Sequence, residues 1–270
     1  YRVQLNEEKE KLLISTKKKL DPKYHDQLLT HFNTMPMRYF RFRESANIAT
    51  HVKSVSKFFA DDEKVEDDKS ADLRWMSRPD RAYTELIVTC RNRTLLLEKV
   101  CCALASEELN IIAADVYTRT DEVACDLFQV CTMDHQPVTD VAVKKRVANK
   151  VKQLVREDFY DPSVYLQKKK NYLRKDTTEG GIPFPVRAFT NNHLSATCTA
   201  IEIQAQDRIA LLHDLFLEIG KCGLASVHAR ICTEKGAAMD TIYVTYPGGG
   251  KVEDPELLER LEKSITELLK

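Results

Sequence analysis

From Thr84 to Cys90 apolar and polar side chains alternate (Thr84-Glu-Leu-Ile-Val-Thr-Cys90), the period-two pattern of a strand. A polar turn follows, Arg91-Asn92-Arg93-Thr94. Apolar residues then fall at Leu96, Leu97, Val100 and Leu104, which is helical spacing. The same succession returns from Thr199. A strand, Thr199-Ala-Ile-Glu-Ile-Gln-Ala205, runs into the turn Gln206-Asp207-Arg208-Ile209, and a helix follows with Leu211, Leu212, Leu215 and Ile219. One offset of 115 residues, Asn92 to Asp207, holds as far as Thr118 and Thr233. Past each helix the pattern predicts a hairpin, Ile111–Thr118 with Val123–Met133 and Val227–Thr233 with Ala237–Tyr246. The first hairpin loop is one residue longer, after which Asp126 falls on Asp240. An amphipathic helix closes each copy, Val141–Arg156 and Pro255–Leu269.

Strand–helix–strand–strand–helix, stated twice, predicts an α+β protein: two ferredoxin-like α/β sandwiches with antiparallel sheets, preceded by N-terminal helices. Each copy lacks an outer strand after its last helix. Arg38-Tyr-Phe-Arg-Phe42 and Phe184-Pro-Val-Arg-Ala-Phe189 are expected to supply it from the N-terminal side, and Pro185 is tolerated only at a sheet edge. Asp61–Asp72 reads as an acidic surface insertion or hairpin, and Tyr165–Ile182 as a linker. Val3–Lys19 and Pro22–Asn33 read as helices without an evident partner in the repeats. The expected organisation is 1–60 as N-terminal helices and a leading strand, 73–158 as the first repeat domain, 159–183 as linker and 184–270 as the second. Because the chain starts at Tyr1 within a helical pattern, it is read as a piece of something longer, with 1–60 the tail of an upstream domain.

Composition narrows the function classes. A chain of 270 residues suits two small domains, and 43% hydrophobic residues allow each its own core. Lys plus Arg equals Asp plus Glu at 41 each, which argues against nucleic acid as an obligatory partner. The basic runs Lys17–Lys19 and Lys168–Lys170 read as solvated helix ends. Eight cysteines lie mostly inside apolar runs, with no Cys-x-x-Cys pair and no zinc spacing. They are read as reduced thiols of a cytoplasmic protein. No apolar run is long enough to span a membrane, so a membrane partner is not expected.

The repeat resembles the ACT domain, a regulatory module that binds amino acids and related small ligands. Two further stretches narrow the match. Pro36-Met-Arg-Tyr-Phe-Arg-Phe-Arg-Glu-Ser-Ala-Asn-Ile-Ala-Thr-His51 resembles the segment before the first ACT domain of bifunctional PII uridylyltransferase/uridylyl-removing enzymes. Phe184-Pro-Val-Arg-Ala-Phe-Thr-Asn-Asn192 is similar to the same family's linker. The resemblance covers Tyr24 to Lys270 and implies the C-terminal tandem ACT region of such an enzyme. Its nucleotidyltransferase chemistry requires a Gly-Ser motif with paired aspartates, and its uridylyl-removing chemistry a His-Asp metal site. Neither set is present. His25-Asp26 and His213-Asp214 stand without the further ligands such a site needs, and the latter pair reads as helix surface. No catalytic residue, metal or other cofactor is therefore expected here. Whether the parent remains an active uridylyltransferase is left open. The implied role is regulatory sensing of an amino acid, glutamine favoured, in bacterial nitrogen metabolism. The implied partners are upstream catalytic domains, a PII-type signalling protein acting through the parent, and a homodimer.

In ACT modules the ligand sits where the turn after the first strand meets the second strand of a neighbouring module. By position this gives Asn92, Arg93, Thr94 and Leu95 with Asp115 for one site, and Asp207, Arg208, Ile209 and Ala210 with Arg230 for the other. Such a turn offers an acidic or amide side chain to an ammonium, and helix N-terminal amides to a carboxylate. The fourth position, commonly glycine, is Leu95 and Ala210 here. Alanine obstructs a backbone approach less than leucine, so the second repeat is the better candidate. Asn92 and Asp207 also suit helix N-caps. His228 lies beside the candidate site and reads either as structural or as functional. The competing reading of the whole chain is an ACT pair that serves dimerisation or scaffolding without a ligand.

Overall fold

The computed structural model describes residues 2–62, 71–166, 185–234 and 237–270. The chain divides into two compact units, one formed by 1–75, 86–93 and 117–127, the other by 76–85, 94–116 and 128–270. They are taken in turn.

The first unit is built on helices. After α1 (Arg2–Lys17), a 3-10 turn at Pro22–Tyr24 and α2 (His25–Thr34) comes a single helical turn, α3 (Met37–Phe40), and then α4 (Ser45–Asp62). Ile48, Val52, Val55 and Phe58 recur at helical spacing along α4 and are fully buried, against α1 and α2. Three strand segments complete the unit: β1 (Ala71–Ser77), β2 (Thr84–Arg91) and the start of β4 (Val123–Thr132), side by side in that order.

Two expectations are corrected here. Arg38–Phe42 is not an outer strand; Arg38, Tyr39 and Phe40 lie in α3. Tyr39 and Phe40 are buried among His31, Phe32 and Tyr117, an aromatic packing that a helical turn allows by placing both rings inward. The outer strand beside β2 is β1, at the end of the acidic stretch; residues 63–70 of that stretch lie outside the described residues. The N-terminal helices also do have a partner in the first repeat. Thr120 N–H donates to the Thr34 carbonyl, and Arg119 reaches Gln27 Oε1 at 2.9 Å. Arg119 is itself buried, with both prongs of its guanidinium on Asp121 at 3.0 and 2.6 Å.

The second unit contains α5 (Leu96–Ser106), β3 (Leu109–Asp115), the end of β4, α6 (Val141–Leu154) and α7 (Pro162–Leu166). It continues with β5 (Arg187–Asn191), β6 (Thr199–Gln206), α8 (Leu211–Lys221), β7 (Ala225–Arg230), β8 (Thr233–Glu234), β9 (Ala237–Thr245) and α9 (Pro255–Leu269). Its strands run in the order β4-β3-β7-β9-β6-β5, with β8 beside β9. The edge strand β5 pairs antiparallel with β6, Arg187 opposite Gln204 and Asn191 opposite Ala200, as expected of the segment before the second repeat. Phe184 and the linker from 167 lie outside the described residues.

The repeat is visible in matching hydrogen bonds. Thr84 Oγ1 accepts from Val138 N–H at 2.9 Å, and Thr199 Oγ1 from Val252 N–H at 2.9 Å. Asp140 caps α6 by accepting from Ala142 N–H, and Asp254 caps α9 by accepting from Glu256 N–H. This architecture is consistent with tandem ACT-like ferredoxin folds. The copies join edge to edge through their second strands, Ala113 opposite Arg230, Ala114 opposite Ala229 and Asp115 opposite His228. The ladder is extended by Val116 N–H to the Val227 carbonyl and Ile231 N–H to the Ile112 carbonyl. On the helical layer α5 packs against α8, and Val100, Leu104, Leu215 and Ile219 of the two helices are fully buried, each such aliphatic side chain contributing about 1.5–3 kcal/mol.

All eight cysteines are free thiols. Burial pushes Cys102 up to about 12 and Cys131 up to about 11, so these thiols are apolar filler rather than nucleophiles. Among the described residues, no helix is long and apolar enough to cross a membrane.

Candidate functional site

Where the β6–α8 turn meets the edge of β3, the second unit encloses a cavity of about 240 Å³. Asp207, Arg208, Ile209 and Ala210 line it from the turn, Asn110–Ile112 from β3, and Ile231 and Cys232 from the segment after β7. The turn is shaped by Ala210, which has φ 61° and starts α8 from the left-handed region. Leu95, with φ 61°, does the same for α5. These are the two positions where glycine is common, and the positive φ gives the reason, since an L side chain there costs about 1–2 kcal/mol. Leu95 and Ala210 also hold the N-cap positions, so no acceptor side chain stands at either helix start.

The sequence-derived residues separate into three groups. Asp207, Arg208, Ile209 and Ala210 come together around the cavity. Asp115 and Arg230 lie on the paired strands and do not line it: Asp115 Oδ1 is 2.6 Å from His228 Nδ1, and Arg230 is exposed opposite Ala113. His228 is thus held by an acid and by the ring of Tyr243. In the first repeat's turn, Asn92 is engaged within its own unit, its backbone N–H donating to the Glu122 carbonyl and its Nδ2 to Glu122 Oε2. Arg93 Nε reaches the Arg91 carbonyl at 3.4 Å. Thr94 precedes the left-handed Leu95, and neither lines the cavity.

Two groups escaped the sequence reading. Asp240, on β9, lines the cavity with only 2% of its surface exposed, and its Oδ1 has no hydrogen-bond partner. Burial, then the neighbouring Asp207, raises its carboxyl to about 7, against the pull of the Cys232 N–H. The available signal was phase: Asp240 shares the inward face of its strand with Ala238, Ile242 and Val244. His213 is the second. It is 1% exposed rather than on the helix surface, with Nε2 2.7 Å from Tyr160 Oη and Nδ1 3.0 Å from Asp214 Oδ1. Asp214 in turn holds Arg208 Nη2 at 2.6 Å. Burial pushes the Asp214 carboxyl up, but the hydrogen bonds from His213 and Arg208 prevail and lower it. Among the described residues, no group of three His, Cys, Asp or Glu could hold a metal ion.

An acid pair and a helix N-terminus lining the same cavity offer groups of opposite polarity to the two ends of a small zwitterion. No family model matches the chain. Curated proteins do: the bifunctional uridylyltransferase/uridylyl-removing enzyme of Gluconobacter oxydans is 28% identical over 193 residues, which is 69% of this chain and 20% of that protein. The chain is a relative of bifunctional uridylyltransferase/uridylyl-removing enzymes. Those of Rhodopseudomonas palustris (26% over 196 residues, 70% of this chain) and Nitrobacter hamburgensis (27% over 191 residues, 70% of this chain) match to a similar extent, each over 20% of its own length. The chain thus spans about a fifth of the length of the uridylyltransferase/uridylyl-removing relatives it matches.

Proposed function

We propose that this chain is the regulatory region of a uridylyltransferase/uridylyl-removing enzyme, and that its second-repeat cavity binds an amino acid, glutamine first among the candidates. The observation that carries the reading is the convergence on one cavity of Asp207, the buried Asp240 and the amide-rich start of α8. Asp207 suits an α-ammonium. The first turn of α8, with the guanidinium of Arg208 anchored on Asp214, suits an α-carboxylate. Asn110–Ile112 of the first repeat line the same cavity, so a bound ligand would touch both repeats. That gives it the means to favour one arrangement of the pair over another, which is what coupling to catalytic domains elsewhere in a parent chain requires. A PII-type protein would be engaged by those domains, in the cytoplasm. The first repeat supports a structural role, because its turn is tied down by the Asn92–Glu122 contacts.

Isothermal titration with glutamine, followed by a panel of other amino acids, tests this. Saturable binding lost in Asp207→Ala is the expected result. Titrations without heat across the panel, together with a Tm that no amino acid moves, would leave the pair as a dimerisation or scaffold module.

A further inference from the structure

Asp126 and Asp240 occupy the same place in the two repeats and are both buried, yet their surroundings differ. In the first unit Asp126 Oδ1 accepts from Tyr117 N–H at 3.2 Å, and a cation of the chain itself, Arg38, lies close enough to favour its charged form. That guanidinium stacks on the Tyr117 ring at 4.3 Å. The counterpart of Tyr117 in the second repeat is Cys232, a much smaller side chain, and there the cavity opens. Asp240 receives the Cys232 N–H on its carboxyl, and its Oδ1 remains without a partner. Of the other charged and titratable groups around the cavity, Asp207 is an acid, Arg208 and His213 are both bonded to Asp214, and His135, Cys101, Cys131 and Cys232 complete the set.

We infer that Asp240 is a second acceptor for the ligand's ammonium, acting with Asp207, and that it restricts the cavity to small molecules carrying a protonated amine. The inference rests on the proposed amino-acid site and deepens it. A buried carboxyl oxygen with no donor is satisfied by a ligand that brings one, and an ammonium between two carboxyl groups makes charge-assisted hydrogen bonds while offsetting their mutual repulsion. A 2-oxo acid would bring no cation to the paired carboxyl groups. An N-acylated amino acid would bring a neutral amide N–H in place of the cation. A site built around such a group rejects analogues that lack its complement.

The test is titration of the full chain and of Asp240→Asn with L-glutamine, N-acetyl-L-glutamine and butylammonium. Glutamine should bind the unsubstituted chain and lose about tenfold or more in affinity with Asp240→Asn, while N-acetylglutamine gives no saturable heat. If N-acetylglutamine binds the unsubstituted chain as well as glutamine does, the inference is overturned, whatever the variant's folding. It is also overturned if Asp240→Asn, folded by circular dichroism, binds glutamine within about twofold of the unsubstituted chain, while the amino-acid site stands. If butylammonium binds and is lost in the variant but no amino acid binds, Asp240 keeps its role and the amino-acid reading falls. If nothing binds, both fall.

Discussion

Replacing Asp240 by Asn keeps the shape of a buried side chain while removing its capacity to ionise. The carboxyl moves from an ordinary 3.8 in the unfolded chain to about 7 in the folded protein. A proton is thus held more tightly after folding than before. Below about pH 4 both states are protonated and the residue contributes no penalty. As pH rises toward 7 the unfolded chain gives up its proton and the folded protein keeps it, so stability falls by about 1.4 kcal/mol per pH unit. The accumulated loss levels near pH 7 at about 4 kcal/mol, an upper figure for a residue 2% exposed. Urea unfolding of the parent chain and of Asp240→Asn at pH 5 and pH 8 measures this directly. The variant should be the more stable at pH 8, and its advantage should shrink by about 3 kcal/mol at pH 5. Asp126, raised to about 7 chiefly by burial, is present in both proteins and affects both curves alike. A difference between the two proteins that is the same at both pH values would refute the reasoning, because it would mean that Asp240 ionises as freely folded as unfolded.

Two further outcomes follow from local geometry. Ala210→Gly relieves a side chain held at φ 61° and should raise stability by about 0.5–1 kcal/mol after the added freedom of the unfolded chain, read as a small rise in Tm; a lowered Tm would contradict the left-handed turn. Arg119→Ala strips Asp121 and Gln27 of a buried donor and should cost about 2–4 kcal/mol in urea unfolding, whereas a loss under about 0.5 kcal/mol would place that guanidinium in solvent.

Most of the architecture was readable from periodicity. The helix over Pro255–Leu269 and the strands opening at Thr84 and Thr199 sit where the pattern places them, because a proline after an aspartate and a run of alternating apolar residues are local signals. The failure at Arg38–Phe42 has a tertiary cause. It was expected as a strand because the repeat lacks an outer one, but Tyr39 is buried by His31, His51 and Tyr117, all three outside its own helix, and its hydroxyl pairs with His51 Nδ1 at 2.6 Å. The turn half of the candidate site was legible because Asp207–Ala210 form one short segment. The strand half was not: Asp115 and Arg230 follow from position in the second strands under the ACT resemblance, whereas Asn110–Ile112 of β3 line the cavity. Asp240 was noticed only as the repeat partner of Asp126. An acid in phase with Ile242 and Val244 was the missed indication of a buried carboxyl.

Hydrogen exchange followed by mass spectrometry, with and without saturating glutamine, tests the central claim most directly. The account predicts slowed exchange in the peptide covering Asp207–His213 and in that covering Asn110–Ile112, with Asn92–Leu95 unchanged. Protection confined to Asn92–Leu95, or no protection anywhere, would contradict an amino-acid site in the second repeat.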